Sequence, residues 1–410
     1  MSDSHGRPFM RNPFRQSGKF CVTLVLTCFL LSTHADDDSD AAKESRWERN
    51  AQLMFHRDQP RYFARTFADF DDYLDSNDGF FTQLGSTLFY QHASETLTDR
   101  NDELNLVVDF AGAWEPGCGS GGSRGALTWW VRGGRAVGDP KDADLSKDIG
   151  SLLGINSASD DNELYVRELF WVQRLGQRIG FSVGQVDATY RYDFNAVAND
   201  ERYHFIASPL TNSQSVPFPD PSPSADIFWS INDQTFFRVG LYSTVCEKGE
   251  WCLNKLDSDQ WFSPAELTVS PVFDSLGQGN YRFLAYFTQT GENKGGGWSL
   301  SFDQRIGRFT PFMRLSAGDK DISEFERFFS LGIAIDYPFG RPWDQAGIGF
   351  ATGKPSDPLL RDETNIELYW RFQLNPFMAI TPDLQWVIDP AKNPVDDRIF
   401  VAGVRLQLDF

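Results

Sequence analysis

From Leu84 to the C-terminus, apolar and polar residues alternate with a period of two, interrupted by clusters of Gly, Pro, Asn and Asp. This pattern predicts strands with one oily and one polar face, because successive side chains of a strand point to opposite sides. In 363–374, Ile366, Leu368, Trp370 and Phe372 share one face, and Glu367, Tyr369, Arg371 and Gln373 the other. In 399–410, Phe400, Ala402, Val404, Leu406, Leu408 and Phe410 lie opposite Gly403, Arg405, Gln407 and Asp409. Residues 103–114 set Leu104, Leu106, Val108, Phe110 and Trp114 against Asn105, Asp109 and Ala111. Residues 296–305 set Trp298, Leu300 and Phe302 against Ser299, Ser301, Asp303 and Arg305.

The alternation predicts sixteen strands, near 82–93, 103–114, 125–134, 163–174, 178–186, 224–232, 235–245, 263–273, 279–290, 296–306, 308–317, 328–338, 344–353, 363–374, 376–388 and 399–410. A soluble β-sandwich would alternate in the same way, with its polar face in water. The connections separate the two folds. Long ones (135–162, 187–223, 246–262, 354–362) take turns with short ones such as Leu175-Gly176-Gln177, Asn232-Asp233-Gln234 and Ile306-Gly307-Arg308. Long outer loops alternating with short periplasmic turns are the mark of a transmembrane antiparallel up-and-down β-barrel. The fold class is therefore all-β, with residues 82–410 forming an outer-membrane barrel. The last strand ends on Phe410, an alternating terminus of the kind the barrel-assembly machinery engages.

The N-terminus fits that compartment. Arg7, Arg11, Arg15 and Lys19 precede the apolar run Phe20–Leu31, and Thr33-His34-Ala35 offers a small-residue cleavage site. Residues 1–35 are thus expected to be a secretory signal peptide. Residues 36–81 form an acidic N-terminal segment with weak helical character. After Ala35 no apolar run approaches the length of a membrane-spanning helix.

Composition narrows the partners. The whole chain has a formal charge of −19. Removing residues 1–35 takes away four bases and one acid, leaving 34 Lys and Arg against 56 Asp and Glu. Nucleic acid is excluded as a partner for so acidic a chain. Aromatic residues make up 15% of the sequence, as expected where girdles mark both membrane interfaces. No cluster of Cys and His has metal-ligand spacing, so no metal or other cofactor is expected. No nucleophile elbow, zinc-protease motif or phosphate-binding loop occurs, so no catalytic residues are assigned. Cys246 and Cys252, with five residues between them in a long loop, are expected to form a disulfide in an oxidising compartment. Cys118 is read as an ordinary residue of a Gly-rich turn.

Two blocks carry a family resemblance. The first runs from Asp193 to Pro221 and includes Phe194, Asn195, Ala198, Asn199, Asp200, Phe205 and Pro217-Phe218-Pro219. The second contains Glu367-LYWRFQLNPFMAI-Thr381-Pro382-Asp383-Leu384-Gln385, then Asp389-Pro390, Asn393, Val404-Arg405 and Phe410. Arg167-Glu168-Leu169 and Gly184-Gln185-Val186-Asp187 match more loosely. On these residues the chain resembles the carbohydrate-selective porins of the OprB type. The resemblance implies a sixteen-stranded porin whose loop 187–223 folds into the lumen, with small sugars as solutes.

The charges on the lumen side are nearly balanced in sign, which suits a neutral solute. The residues expected to line the pore and its constriction are Arg167, Glu168, Arg238, Arg282, Glu367, Arg371 and Arg405 from the wall, with Asn195 and Asn199 from the loop. Membrane lipids and a homotrimer complete the expected partners. The competing readings are a channel for other solutes, a polysaccharide exporter, and a secreted carbohydrate-binding or hydrolytic β protein.

Overall fold

The computed structural model describes residues 79–116, 124–137, 144–158, 164–253, 259–274, 276–341, 343–375 and 377–410. The predicted signal peptide, nearly all of the 36–81 segment and Cys118 lie outside them.

Sixteen strands form the wall. They are β1 (Phe80–Ala93), β2 (Asp102–Trp114), β3 (Gly125–Ala136), β4 (Tyr165–Leu175), β5 (Ile179–Val186), β6 (Ser222–Asn232), β7 (Thr235–Ser243) and β8 (Gln260–Val269). They continue as β9 (Gly277–Thr290), β10 (Asn293–Gln304), β11 (Phe309–Gly318), β12 (Phe325–Asp336), β13 (Gln345–Pro355), β14 (Glu363–Asn375), β15 (Met378–Ile388) and β16 (Arg398–Asp409). A two-residue strand, Val272–Phe273, adds a short ladder to the start of β9. Each strand pairs antiparallel with its sequence neighbours, and β1 also pairs with β16, from Gly85 opposite Asp409 to Ala93 opposite Val401. The seam closes on Phe410, whose N–H donates to Leu84 O at 2.8 Å while its carbonyl accepts from Leu84 N–H at 3.0 Å. The expected closed antiparallel barrel is thus formed.

The face assignment holds strand by strand. Leu368 is 49% exposed on the outside, whereas its neighbour Glu367 is fully buried inside. Ile348, Leu368, Leu384 and Phe400 are likewise exposed apolar residues on the outer surface. Aromatic pairs cluster near both rims. Trp386–Phe400 and Trp261–Phe287 sit by the long loops, and Trp370–Phe372 and Phe377–Phe410 by the short turns.

A connection on the long-loop rim departs from the long–short rhythm. On the long-loop rim, Gly291 and Glu292 alone join β9 to β10. Gly291 has φ 62°, the left-handed conformation that a two-residue hairpin needs. The polar Asn293 and Lys294 and the following glycines therefore continue the strand rather than forming the longer loop expected there.

Two long connections turn inward. Residues 144–158, with the one-turn helix α1 (Leu145–Asp148), lie against β1, β15 and β16, burying Leu145, Ile149 and Ile155 among Ala93, Val387, Ile399 and Val401. Residues 187–221, with the one-turn helix α2 (Ser208–Thr211), occupy the lumen. Their Val197, Phe205 and Leu210 pack on Phe312, Phe325, Phe328 and Tyr369 of the wall. Tyr192 and Val216 pack on Phe170, Tyr242 and Phe262. The lumen therefore contains hydrophobic cores of its own, between loop and wall.

Inward-facing glycines of β13 make room for this loop. A Cβ on Gly349 would stand 2.7 Å from Leu210 Cδ1, and one on Gly347 would stand 3.1 Å from Phe205 Cζ. Gly349→Val should push α2 off the wall at a cost of about 1–3 kcal/mol, as overpacking does. Limited proteolysis is expected to cut the variant near residues 205–211 while the barrel itself resists. Wild-type cleavage kinetics in the variant would contradict the packing.

Candidate functional site

The lumen wall is built from the polar face of each strand, and the loop 187–221 is bound to it through both of its backbone polarities. Wall carboxylates accept loop N–H groups. Glu168 Oε1 takes Asp187 at 3.0 Å, Glu266 Oε2 takes Asp193 at 2.7 Å, and Asp303 Oδ2 takes Ala196 at 3.3 Å. The two oxygens of Glu367 take Ile206 and Ala207 at 2.7 and 2.8 Å. Wall arginines donate to loop carbonyls. Arg238 reaches Arg191 O at 3.0 Å, Arg314 reaches Asp193 O at 3.1 Å, and Arg405 holds both Glu201 O and His204 O. A segment with almost no regular structure has its peptide groups satisfied by side chains, as burial demands.

Ion pairs reinforce the clamp. Asp193, with φ 56°, turns its carboxylate back to Arg314 Nε at 3.1 Å and to the Ser299 hydroxyl at 2.6 Å. Arg202 reaches Asp409 at 2.6 Å and Thr87 Oγ1 at 2.9 Å. Arg132 bridges Asp109 at 2.7 Å and Glu201 at 3.0 Å. Removing one member of such a buried pair strands a charge, which makes the network cooperative.

The residues expected to line the pore occupy the following positions. Arg167 and Glu168 both face inward although they are adjacent, because β4 bulges there. Trp130 pairs with Glu168 and Val131 with Val166, leaving Arg167 as the extra residue. Arg167 then pairs with Asp187 at 2.7 Å, its guanidinium 4.3 Å from the Trp130 ring centre. Asn195 is an anchor, donating to Phe302 O at 3.1 Å and Ser301 Oγ at 3.3 Å. Asn199 Oδ1 accepts from Arg314 at 3.3 Å. Arg282 pairs with Asp303 at 2.7 Å. Arg238, Arg282, Glu367 and Arg405 all hold the loop or its partners.

Arg371 differs from the rest. It is half-buried, its Nε lies 3.4 Å from Gln407 Oε1, and its guanidinium sits 5.3 Å from the Tyr203 ring. Among the described residues it makes no ion pair at 4 Å or less.

The bridge expected between Cys246 and Cys252 is not made, although both cysteines are buried. Cys252 is held at the wall instead. Its N–H donates to Gln185 Oε1 at 3.3 Å, and its sulfur faces Glu250 Oε2 at 3.7 Å.

Sequence reading did not single out Arg132, Asp193, Arg202, Glu266 or Arg314 as anchors. It also gave no inward role to 144–158, where Glu363 binds the Leu152 N–H at 2.7 Å and the Ser151 hydroxyl, and Ser157 N–H meets Ile206 O at 2.8 Å. Arg132, Glu266 and Arg314 are buried on the inner face of their strands. Which loop atom each would meet had no sequence signal.

Two loop groups are shifted by this enclosure. Burial, helped by the nearby Arg405 and Arg371, pushes the His204 imidazole down to about 3, so it is neutral where the unfolded side chain is charged. Burial and then the adjacent Glu201 carboxylate push the Asp200 carboxyl up. The signs are opposite. The His204 contribution to stability is complete above about pH 6.5 and is lost as pH falls toward 3. The Asp200 contribution is present at low pH and fades as pH rises through its raised value. His204→Gln should flatten the acid limb of the thermal-midpoint profile below pH 6.5, and an unchanged limb would contradict it.

Glu367→Ala should release the 200–210 segment, at about 1–3 kcal/mol for each amide left without an acceptor. Larger and noisier single-channel currents in planar bilayers are the expected reading, with Glu367→Gln intermediate. Currents identical to wild type would mean that the latch does not hold the loop.

Comparison with known proteins agrees with this architecture. Residues 270–410 match the model of the carbohydrate-selective porin, OprB family. Porin AaxA of Chlamydia abortus is 26% identical over 270 residues, covering 63% of this chain and 60% of that protein. Porin AaxA of Chlamydia pneumoniae is 25% identical over 280 residues, covering 65% and 63%. The chain thus spans somewhat under two thirds of the length of these relatives. The high-pH structure of Pseudomonas putida OprB superposes with a TM-score of 0.69 at 16% identity, covering 84% of this chain and 97% of that one, a likeness of fold. The chain thus shares the fold of a solved OprB porin, and over residues 270–410 it is similar to the carbohydrate-selective porins of the OprB family.

Proposed function

We propose that the protein lets small neutral hydrophilic solutes, mono- and oligosaccharides foremost, diffuse passively past the in-folded loop. The observation that carries this reading is the mating of charges in the lumen. Arg132, Arg167, Arg202, Arg282 and Arg314 each face a carboxylate within 3.1 Å, and Arg238 and Arg405 are spent on loop carbonyls. A passage lined by compensated charges has no ring of one sign to select ions, while its dipoles remain able to exchange hydrogen bonds with hydroxyl groups. The OprB match over 270–410 supports the same solute class.

Arg371, over Tyr203 and beside Gln407, is the wall residue best placed to touch a passing solute. An arginine next to an aromatic face offers a sugar both donors and a stacking surface, in a contact weak enough to permit flux. Hydrolysis is disfavoured by the same geometry. Glu367 is fully buried, committed to two loop amides and in direct hydrogen-bond contact with the equally buried Asp383, so the two carboxyl groups are not set apart across an open cleft.

Liposome swelling with the purified full chain tests the proposal. Monosaccharides should enter faster than disaccharides, and both faster than amino acids of similar size. Arg371→Ala should lower the preference for sugar over amino acid without abolishing swelling. Permeation governed by size alone would remove the sugar-selective part. Strong cation or anion selectivity in bilayers would favour a charged-solute channel.

A further inference from the structure

We infer that the turn rim beneath β10–β14 is a docking surface for the headgroups of anionic phospholipids, formed by Arg305, Arg308 and Arg341 around the ring of Phe339.

Phe339 lies in the turn between β12 and β13 and is 85% exposed. It is on the outer surface of the barrel, because its ring stacks on Trp370 at 5.0 Å and 20°, and Trp370 stacks on Phe372 at 4.8 Å and 11°. The backbone that presents it is unfavourable. Tyr337 and Phe339 both have φ 54° and Trp343 has φ 72°, left-handed conformations that bulky residues rarely adopt. A bare phenyl ring held out by such a turn gains nothing in water. At a membrane interface it gains the environment that aromatic rings favour.

The arginines surround this ring. The turn holding Arg305 and Arg308 is the neighbour of the Phe339 turn, joined to it by Asp336 N–H donating to Arg308 O at 2.8 Å. Arg308 is exposed, with its guanidinium 5.0 Å from the outward-facing Phe309 ring. Arg341 is half-exposed and lies 5.9 Å from the Phe372 ring centre. Arg305 is half-exposed and 3.9 Å from Asp336.

The acids of the strip are engaged by the protein. Asp344 is buried and takes Arg341 Nε at 2.7 Å, Gln373 N–H at 3.0 Å and Trp370 Nε1 at 3.4 Å. Asp336 takes Gln345 at 2.9 Å. At the opposite rim, the loops joining these strands carry Asp319, Asp321, Glu324, Asp357 and Asp362 against Lys320 and Arg361. On the turn rim the arginines are thus interleaved with rings that reach the acyl boundary, whereas acids outnumber bases in the loops at the opposite rim. Phosphate oxygens suit the guanidinium donors, and glycerol and first methylenes suit the rings.

Native mass spectrometry of the detergent-purified full chain tests this, with phosphatidylglycerol and phosphatidylcholine added in equal amounts. Wild type should retain phosphatidylglycerol in excess, and the excess should fall about fivefold for each arginine neutralised in the series R308Q, R308Q/R341Q and R305Q/R308Q/R341Q. Among the described residues the Arg308 side chain makes no hydrogen bond or ion pair, so R308Q leaves folding intact. R327Q, at the opposite rim, should keep the wild-type preference. F339A should lower retention of both lipids. Equal retention of the two lipids by wild type, or an undiminished preference in R308Q and the triple variant, would overturn the inference. So would competition by millimolar inorganic phosphate, which would indicate a site for a free anion.

Discussion

A backbone in hydrocarbon has no water to pair with, so every N–H and C=O of the wall must find a partner within the sheet. This chain meets that demand by joining β1 to β16, with Leu84 and Phe410 exchanging the last pair of hydrogen bonds. Once the sheet is closed, the period-two alternation has only one arrangement compatible with lipid. The faces bearing Ile348, Leu368 and Leu384 go outward, and those bearing Glu367, Arg314 and Arg405 go inward. The polar lumen is thus a consequence of closure.

Such a lumen concentrates charge, and here the charge is used mostly for construction. Carboxylates on β4, β8, β10 and β14 accept from loop amides, and arginines on β7, β11 and β16 donate to loop carbonyls. Between these contacts, Tyr192, Phe205 and Leu210 bury apolar surface against the wall. The barrel therefore resembles a globular protein turned outside in, with its oily exterior facing lipid and small cores placed between lumen and loop. Residues 144–158 extend the same construction toward the long-loop rim, tied to 187–221 through Ser157 and Ile206.

This use of the wall changes how pore residues are recognised. A charged side chain on the lumen face is as readily a strut for the constriction as a contact for solute. Glu367 and Arg405 are struts by their bonds, whereas Arg371 keeps a partly open guanidinium beside Tyr203. A pore that spends its charges in pairs stays wet without a strong field, the condition under which neutral solutes pass most freely.

The sequence by itself determined the number of wall strands, their faces and which connections are long, and the resemblance to OprB-type porins pointed to 187–223 as the loop that enters the lumen. These are local properties: alternation is written residue by residue, and loop length is counted directly. The same reading placed Arg282, Glu367 and Arg405 on the inner face. Tertiary structure alone decided what they touch there. The bond from Arg405 to His204 O spans two hundred residues, and no periodicity encodes such a meeting. The bulge that turns both Arg167 and Glu168 inward and the entry of 144–158 into the mouth were likewise set by packing against distant strands. Strand propensity is a property of neighbours in the chain, but the pairing of a loop peptide with a wall charge exists only once the cylinder has closed around it.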